Sequence, residues 1–207
     1  MTGALIVIAK EPAPGRSKTR LSPPLTAEAA AGLAAASLAD TLAAAAACPA
    51  QRRVLALDGA PGDWVPPGFE VIPQRGAGLD ERLASAFDDV AEPALLIGMD
   101  TPQVTPALLA AGLRALGRLG TDAVLGPALD GGYWAVGLRR PRGELFLGVP
   151  MSSPTTFEAQ LARLRGGGLR VRRLPPLRDV DLIEDARAVA GLVPASRFAE
   201  AFGSLAA

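Results

Sequence analysis

Several short segments of this sequence carry residue types that could handle phosphate and a divalent metal. In Lys10-Glu-Pro-Ala-Pro-Gly-Arg-Ser-Lys-Thr-Arg20 the cations Lys10, Arg16, Lys18 and Arg20 gather on one Gly/Pro-shaped loop. Cations beside exposed backbone N–H groups make a phosphate cradle; the competing reading is a solvated basic loop. Met99-Asp100-Thr101-Pro102 offers a lone carboxylate, either a Mg²⁺ ligand or a cap for the turn that follows. Asp179-Val-Asp181 puts two carboxylates on one side of an extended segment. Asp181 also reads as an N-cap, because Glu184 and Asp185 would form an acidic first helical turn. Gly126-Pro-Ala-Leu-Asp130-Gly-Gly-Tyr-Trp134 reads as a hairpin turn, or as backbone brought close to a ligand with Asp130 aimed at it. Gly76 and Gly78, in Gln74-Arg-Gly-Ala-Gly-Leu79, could bring backbone to a nucleotide base or form a plain connection.

Composition removes most other chemistry. The 207 residues include no histidine and one cysteine, Cys48, with 21 basic and 21 acidic residues. No His-based triad, imidazole acid/base or His-ligated zinc is possible, and no intrachain disulfide or iron–sulfur cluster. A metal must sit on oxygen ligands, which favours Mg²⁺, Mn²⁺ or Ca²⁺. Zero net charge argues against a general nucleic-acid binder and leaves open only a local basic patch; no nucleic-acid partner is expected. A Walker A loop needs Gly before its Lys, where Ser17 stands. The dinucleotide fingerprint is missing too, since Gly76-Ala-Gly78 runs on into Leu-Asp-Glu.

The elements that must position these residues are legible as alternating strands and helices. Ala4–Ala9 is a continuous apolar run, the pattern of a strand buried on both faces. An Ala-rich helix follows over residues 26–47. Its length suggests a membrane span, but Glu28, Asp40 and the scarcity of Leu argue for packing against a sheet. Strands are expected at 53–58, 70–74, 94–98, 123–127, 133–137 and 169–174, and a helix at 79–91. Thr105-Pro106 and Ser153-Pro154 each have the Thr/Ser-then-Pro form of a helix start, predicting helices to about Leu119 and to Gly166. Two short helices close the chain, with Leu192, Phe198 and Phe202 as core. This alternation predicts α/β architecture on a mostly parallel sheet, with ligands outside the strands' carboxyl ends. No linker divides residues 1–207, so one domain is expected. No signal peptide or membrane span is read, and a cytoplasmic location is expected.

Taken in order, Lys10-x-Pro-x-Pro-Gly-x-x-Lys-Thr-Arg-Leu21, Gly98-Met-Asp-Thr-Pro102, Gly126-Pro-Ala-x-Asp-Gly-Gly-Tyr133 and Asp179-Val-Asp181 resemble a bacterial family of candidate glycosyltransferases, some associated with arsenosugar biosynthesis. The family is more remotely similar to 2-phospholactate guanylyltransferases and the guanylyltransferase of molybdenum-cofactor maturation. The resemblance spans about Leu5 to Asp185. It implies the GT-A nucleotide-diphosphosugar transferase fold, a Rossmann-like three-layer α/β/α sandwich on a mixed sheet. Nucleotide and phosphates would fall to Lys10, Gly15, Arg16, Lys18, Thr19 and Arg20, with Gly76 and Gly78. Asp100 and Asp181 would hold Mg²⁺ or Mn²⁺. Asp130, Gly131, Gly132, Tyr133 and Ser152 would face a small-molecule acceptor. Where the family pattern has Gly-Asp-Leu-Gly before Glu-Arg, this chain has Gly76-Ala-Gly-Leu-Asp80-Glu-Arg82; Met151-Ser152 replaces a Trp-Ser.

The chemistry so implied is transfer from a nucleotide-activated donor. For glycosyl transfer, Lys18 and Arg20 would clamp the leaving diphosphate and Asp130 would serve as base. For nucleotidyl transfer, an acceptor phosphate would attack an NTP and need no strong base. A nucleotide-binding protein without turnover is the third reading.

Overall fold

The computed structural model describes residues 3–205. Its strands are β1 (Ala4–Lys10), β2 (Arg52–Asp58), β3 (Glu70–Pro73), β4 (Ala94–Ile97), β5 (Ala123–Pro127), β6 (Tyr133–Leu138) and β7 (Val171–Arg173). Its α-helices are α1 (Ala27–Ala47), α2 (Leu79–Val90), α3 (Pro106–Leu116), α4 (Thr156–Gly166), α5 (Ile183–Leu192) and α6 (Arg197–Leu205). Among the described residues the seven strands form one sheet, ordered β3-β2-β1-β4-β6-β5-β7. All neighbours are parallel except β6, which runs antiparallel to β4 and β5. The expected α/β architecture with a mixed, mostly parallel sheet is present.

Period-two alternation sends each strand's side chains to opposite layers. Leu5, Val7 and Ala9 of β1 join Leu38 and Leu42 of α1 and Leu109 and Leu113 of α3. Ala4, Ile6 and Ile8 join Leu83 and Phe87 of α2 and Phe157 and Leu161 of α4 on the other face. Helices thus cover both faces of β1, which is why its sequence is apolar throughout.

Thr26 caps α1, its hydroxyl accepting from Ala29 N at 3.2 Å. Helix α1 has the length and apolarity of a membrane span, yet it lies between the sheet and the closing helices. Its outer residues Ala30 and Leu33 pack with Val189 of α5 and Phe198 of α6. Being covered on two sides explains an alanine-rich helix without a polar face.

Four sequence expectations are corrected. Helix α3 ends at Leu116, with Gly117 as its cap, rather than near Leu119. Helix α4 starts at Thr156, not at Ser153-Pro154, because Ser153 to Thr156 form a turn in which Thr156 N donates to the Ser153 carbonyl. Strand β7 spans only Val171–Arg173. Leu192 is exposed, while Phe198 is buried and Phe202 packs beside it.

Candidate active site

One edge of the sheet collects the chemistry. Val7 of β1 is level with Ile97 of β4, and Ile97 with Ala135 of β6. The carboxyl ends of β1 and β4 therefore meet the amino end of antiparallel β6. Lys10, Asp100, Asp130 and Tyr133 line a single cleft of about 1010 Å³. Ser37, in the middle of α1, donates its hydroxyl to the Met99 carbonyl at 2.7 Å and fixes the backbone beside Asp100.

The segment after β7 completes the cleft. Ala128 and Leu177 form a parallel bridge, and Val180 N donates to the Asp100 carbonyl at 2.9 Å. With Val180 buried, its neighbours Asp179 and Asp181 both line the cleft. Asp181 is not the N-cap of α5. That cap position falls to Leu182, whose N–H is taken by the Asp185 carboxylate at 3.0 Å, leaving Asp181 free to face the loop cations.

Two of those cations, Lys18 and Arg20, are already engaged. Lys18 adopts a left-handed backbone, φ 51°, at the start of a 3-10 turn over Thr19–Leu21. Its ammonium donates to the Val180 carbonyl and pairs with Asp100 Oδ1 at 2.8 Å and Asp181 Oδ1 at 3.4 Å. The Lys18 side chain is only 8% exposed. Burial alone would lower its pKa; Asp100 first, then Asp181, outweigh that and hold it above the ordinary lysine value. Arg20 pairs with the other oxygen of Asp181 at 3.2 Å. Arg16 and Thr19 also line the cleft, whereas Gly15 turns the loop without lining it.

The carboxylates group differently from the expected Asp100–Asp181 pair. Among the described residues, Asp130, Asp179 and Asp181 each bring an oxygen within 4.8 Å of the others, and Lys18 links Asp100 to this group through Asp181. Burial pushes the Asp179 carboxyl up to about 6, with the neighbouring charges of Asp130 and Asp181 adding to the rise. Asp130 Oδ1 accepts from Gly132 N at 2.7 Å, so the hairpin reading of this segment also holds.

The glycines serve the backbone more than a ligand. Gly76, Gly78 and Gly131 do not line the cleft, although Ala77 and Gly132 do. Gly76 has φ +119°, and a Cβ there would lie 2.5 Å from Glu81 Cβ, blocking the return of Glu81 to Ala77 N. Gly131 has φ +93°, and a Cβ would lie 2.1 Å from the Pro154 carbonyl oxygen. Its own carbonyl accepts from Phe157 N at 2.8 Å, fastening the hairpin to α4.

Tyr133 and Ser152, the latter with φ 53°, line the far wall. The Tyr133 hydroxyl lies 3.3 Å from Gln160 Oε1. Burial, with some help from Asp80, pushes that phenol above its ordinary range, so it is a neutral donor rather than a base. Cys48 is buried and its thiol pushed up by burial, which fits an inert residue.

The profile of a family described as an uncharacterized protein conserved in bacteria, DUF2064, matches residues 29–153, more than half of the chain. The chain belongs to this family. No curated protein matches it. Among solved structures, it is similar to a candidate nucleotide-diphospho-sugar transferase from Desulfovibrio desulfuricans, with 27% identity, TM-score 0.85, and 99% of this chain and 94% of that one covered. A manganese complex of Rv0371c from Mycobacterium tuberculosis matches at 22% identity and TM-score 0.51, over 91% of this chain and 97% of that one. The 2-C-methyl-D-erythritol 4-phosphate cytidylyltransferase of Thermus thermophilus matches at 18% identity and TM-score 0.57, over 97% and 99%. The fold of this DUF2064 member is therefore that of the GT-A and nucleotidyltransferase-like proteins.

Two parts of the DUF2064 cleft are missing from the sequence-based site. Asp179 stands in the carboxylate group, signalled by the spacing of Asp179-Val-Asp181. Gln74 and Arg82 line the other end. Gln74 Nε2 donates to the carbonyls of Ala9 and Ala56, and Arg82 pairs with Asp58 at 2.8 Å. Both flank the Gly76-Ala-Gly78 segment, but their partners are spread along the chain, so that segment alone does not give their side chains a role.

Proposed function

We propose that this chain is a metal-dependent transferase that uses a nucleotide-activated donor, a nucleoside-diphosphate sugar first among them. The observation that carries this reading is the meeting of Lys18 and Arg20 with Asp100 and Asp181 at one sheet edge, inside a cleft of about 1010 Å³. A site for a nucleotide diphosphate and its metal needs both signs of charge, and this edge supplies both.

The donor set fits Mg²⁺ or Mn²⁺. The Lys18 ammonium sits among Asp100 Oδ1, Asp181 Oδ1 and the Val180 carbonyl, an all-oxygen seat for a cation, and Asp130 and Asp179 add further carboxylates. Asp100, Asp130, Asp179 and Asp181 would hold such an ion, which when bound neutralises charge on the departing diphosphate. Lys18, Arg16 and Arg20 would clamp the phosphates, with Lys10 and Thr19 beside them. The base would lie toward Ala77, Gln74 and Arg82. The acceptor would enter by Tyr133, Gly132 and Ser152, with the Tyr133 hydroxyl as a neutral donor.

The similarity to a candidate nucleotide-diphospho-sugar transferase at 27% identity over nearly the whole of both chains supports the glycosyl reading. One observation favours nucleotidyl transfer as the second. Asp130, the expected glycosyl-transfer base, stands within the carboxylate group rather than apart from it. An attacking phosphate needs no base. A thermal-shift panel of NTPs and nucleotide sugars, with and without Mg²⁺ or Mn²⁺, tests the proposal. The expected result is a metal-dependent rise that Asp100→Ala removes. No shift with any nucleotide overturns it. Pyrophosphate release from an NTP with an acceptor would select the second reading.

A further inference from the structure

Lys10 and Lys18 are the only lysines in the sequence, every other basic residue being arginine. Both line the cleft. They differ in environment. Lys10 is exposed, whereas the Lys18 side chain is 8% exposed although it springs from a loop whose Gly15, Arg16, Thr19 and Arg20 are exposed. Lys18 also has a left-handed backbone, a conformation that is costly for a residue with a Cβ. The ammonium finds there one carbonyl and two carboxylates, all oxygen, all at ion-pairing or hydrogen-bonding distance.

We infer that Lys18 is a phosphate-binding residue that links the cation seat to the phosphate seat. Its ammonium fills the oxygen seat formed by Asp100, Asp181 and Val180. It leaves for the cleft when those carboxylates take a divalent cation, and only then is it available to phosphate. The inference rests on the divalent-cation reading above. The argument is one of charge. A divalent ion and an ammonium cannot share Asp100 Oδ1 and Asp181 Oδ1 without direct repulsion. A phosphate approaching Lys18 while it holds two carboxylates meets those negative charges as well. Each ligand alone must therefore disrupt the Lys18 pairs, and each lowers the barrier for the other, so cation and phosphate bind cooperatively. Arg20 extends the same device at the rim through Asp181 Oδ2. Arginine would serve poorly at the inner position. A planar fork held by two carboxylates is harder to release than a compact ammonium on a flexible stem.

The test is amine acylation of the wild-type chain read by mass spectrometry, with Lys10 as the internal reference. Without divalent metal, Lys18 should react slowly. Saturating Mn²⁺, with its binding followed by electron paramagnetic resonance, should raise the Lys18 rate roughly tenfold while Lys10 stays constant, within the usual range of coupling between sites. Inorganic pyrophosphate added to the Mn²⁺-loaded protein should protect Lys18 again. In a second arm, Lys18→Met should bind Mn²⁺ roughly tenfold more tightly than wild type, because the competing ammonium is gone. Bound Mn²⁺ with Lys18 still protected, or Lys18→Met binding Mn²⁺ no better than wild type, overturns the inference and leaves the divalent-cation reading standing. Lys18 left reactive after pyrophosphate overturns its phosphate half. Failure of wild type and Lys18→Met alike to bind Mn²⁺ overturns the cation reading itself, and this inference with it.

Discussion

Asp179 is the residue at which the site's electrostatics and the fold's stability oppose each other. Half-buried beside Asp130 and Asp181, it is held at about pKa 6 against an ordinary 3.8. The native chain therefore keeps a proton on Asp179 that the unfolded chain has lost between pH 4 and 6. Stability falls as pH rises through that window and levels off above it. Asp179→Asn removes the charge while keeping the shape. In buffer with chelator, this variant should melt higher than wild type at pH 7.5 by about 2–4 °C, which corresponds to roughly 1 kcal/mol in a chain of this length after allowing for partial solvation. The gain should shrink to zero near pH 4. A variant that melts lower than wild type at pH 7.5 would show that the carboxylate is needed by the fold. On the proposed cation site, melting with Mn²⁺ present should reverse the order, because wild type would gain an ion for which the variant lacks one carboxylate.

At the scale of elements, the hairpin between β5 and β6 decides where Asp130 and Tyr133 stand, and Gly131 decides the hairpin. Gly131→Ala meets both a left-handed φ and a carbonyl oxygen 2.1 Å from the new methyl. The backbone conformation alone should cost about 1–3 kcal/mol, a drop in melting temperature of roughly 2–12 °C. Gly132→Ala, with ordinary φ and its nearest contact 3.1 Å away at Asp130 Oδ1, should cost much less. Comparative melting of the two variants checks this; equal losses would mean that neither the left-handed φ nor the Pro154 contact carries weight. The same hairpin marks how far the sequence could be read. The apolar run of β1, the alanine-rich run of α1 and the capping signature at the start of α3 are local facts, and β1, α1 and the first turn of α3 formed where those residues called for them. The cation loop and Asp100 followed from knowing where strands end. The reversal of β6 against β5 was legible in the hairpin reading of Asp130-Gly-Gly, but its seat beside β4 was not, because a strand's place in the sheet depends on its neighbours and leaves no trace in its own alternation. Asp130 was consequently legible as a turn residue and as a ligand-facing one, but not as a member of a group with Asp179 and Asp181. Ser153-Pro154 carried a helix-start signature that a local turn overrode, since Thr156 directs its hydroxyl to the Pro150 carbonyl and its N–H to Ser153.

For the molecule as a whole, α1 joins the cleft edge of the sheet to the carboxyl-terminal helices. Its inner face packs on the sheet, Ser37 holds the Met99 carbonyl, and its outer face is covered by α5 and α6. Asp40, the acidic residue that spoke against a membrane span, proves to cap α6. Its carboxylate accepts from Phe198 N at 2.8 Å, at the positive end of that helix's dipole. Phe198 itself is 1% exposed among Leu21, Ala30, Leu33, Val180 and Val189. Leu21 closes the cation loop and Val180 separates the two late aspartates, so this cluster supports both halves of the cleft from behind. Phe198→Ala should cost about 3–5 kcal/mol, and Asp40→Ala about 1–2 kcal/mol through loss of the cap. Either is a large share of the roughly 5–15 kcal/mol that holds a folded chain together. Urea unfolding followed by circular dichroism should show one transition for each variant, at a lower midpoint with unchanged slope, because α6 shares its core residues with the loop and with α1. A separate early transition confined to the closing helices would mean that they unlatch alone, and that the cluster does not tie them to the cleft.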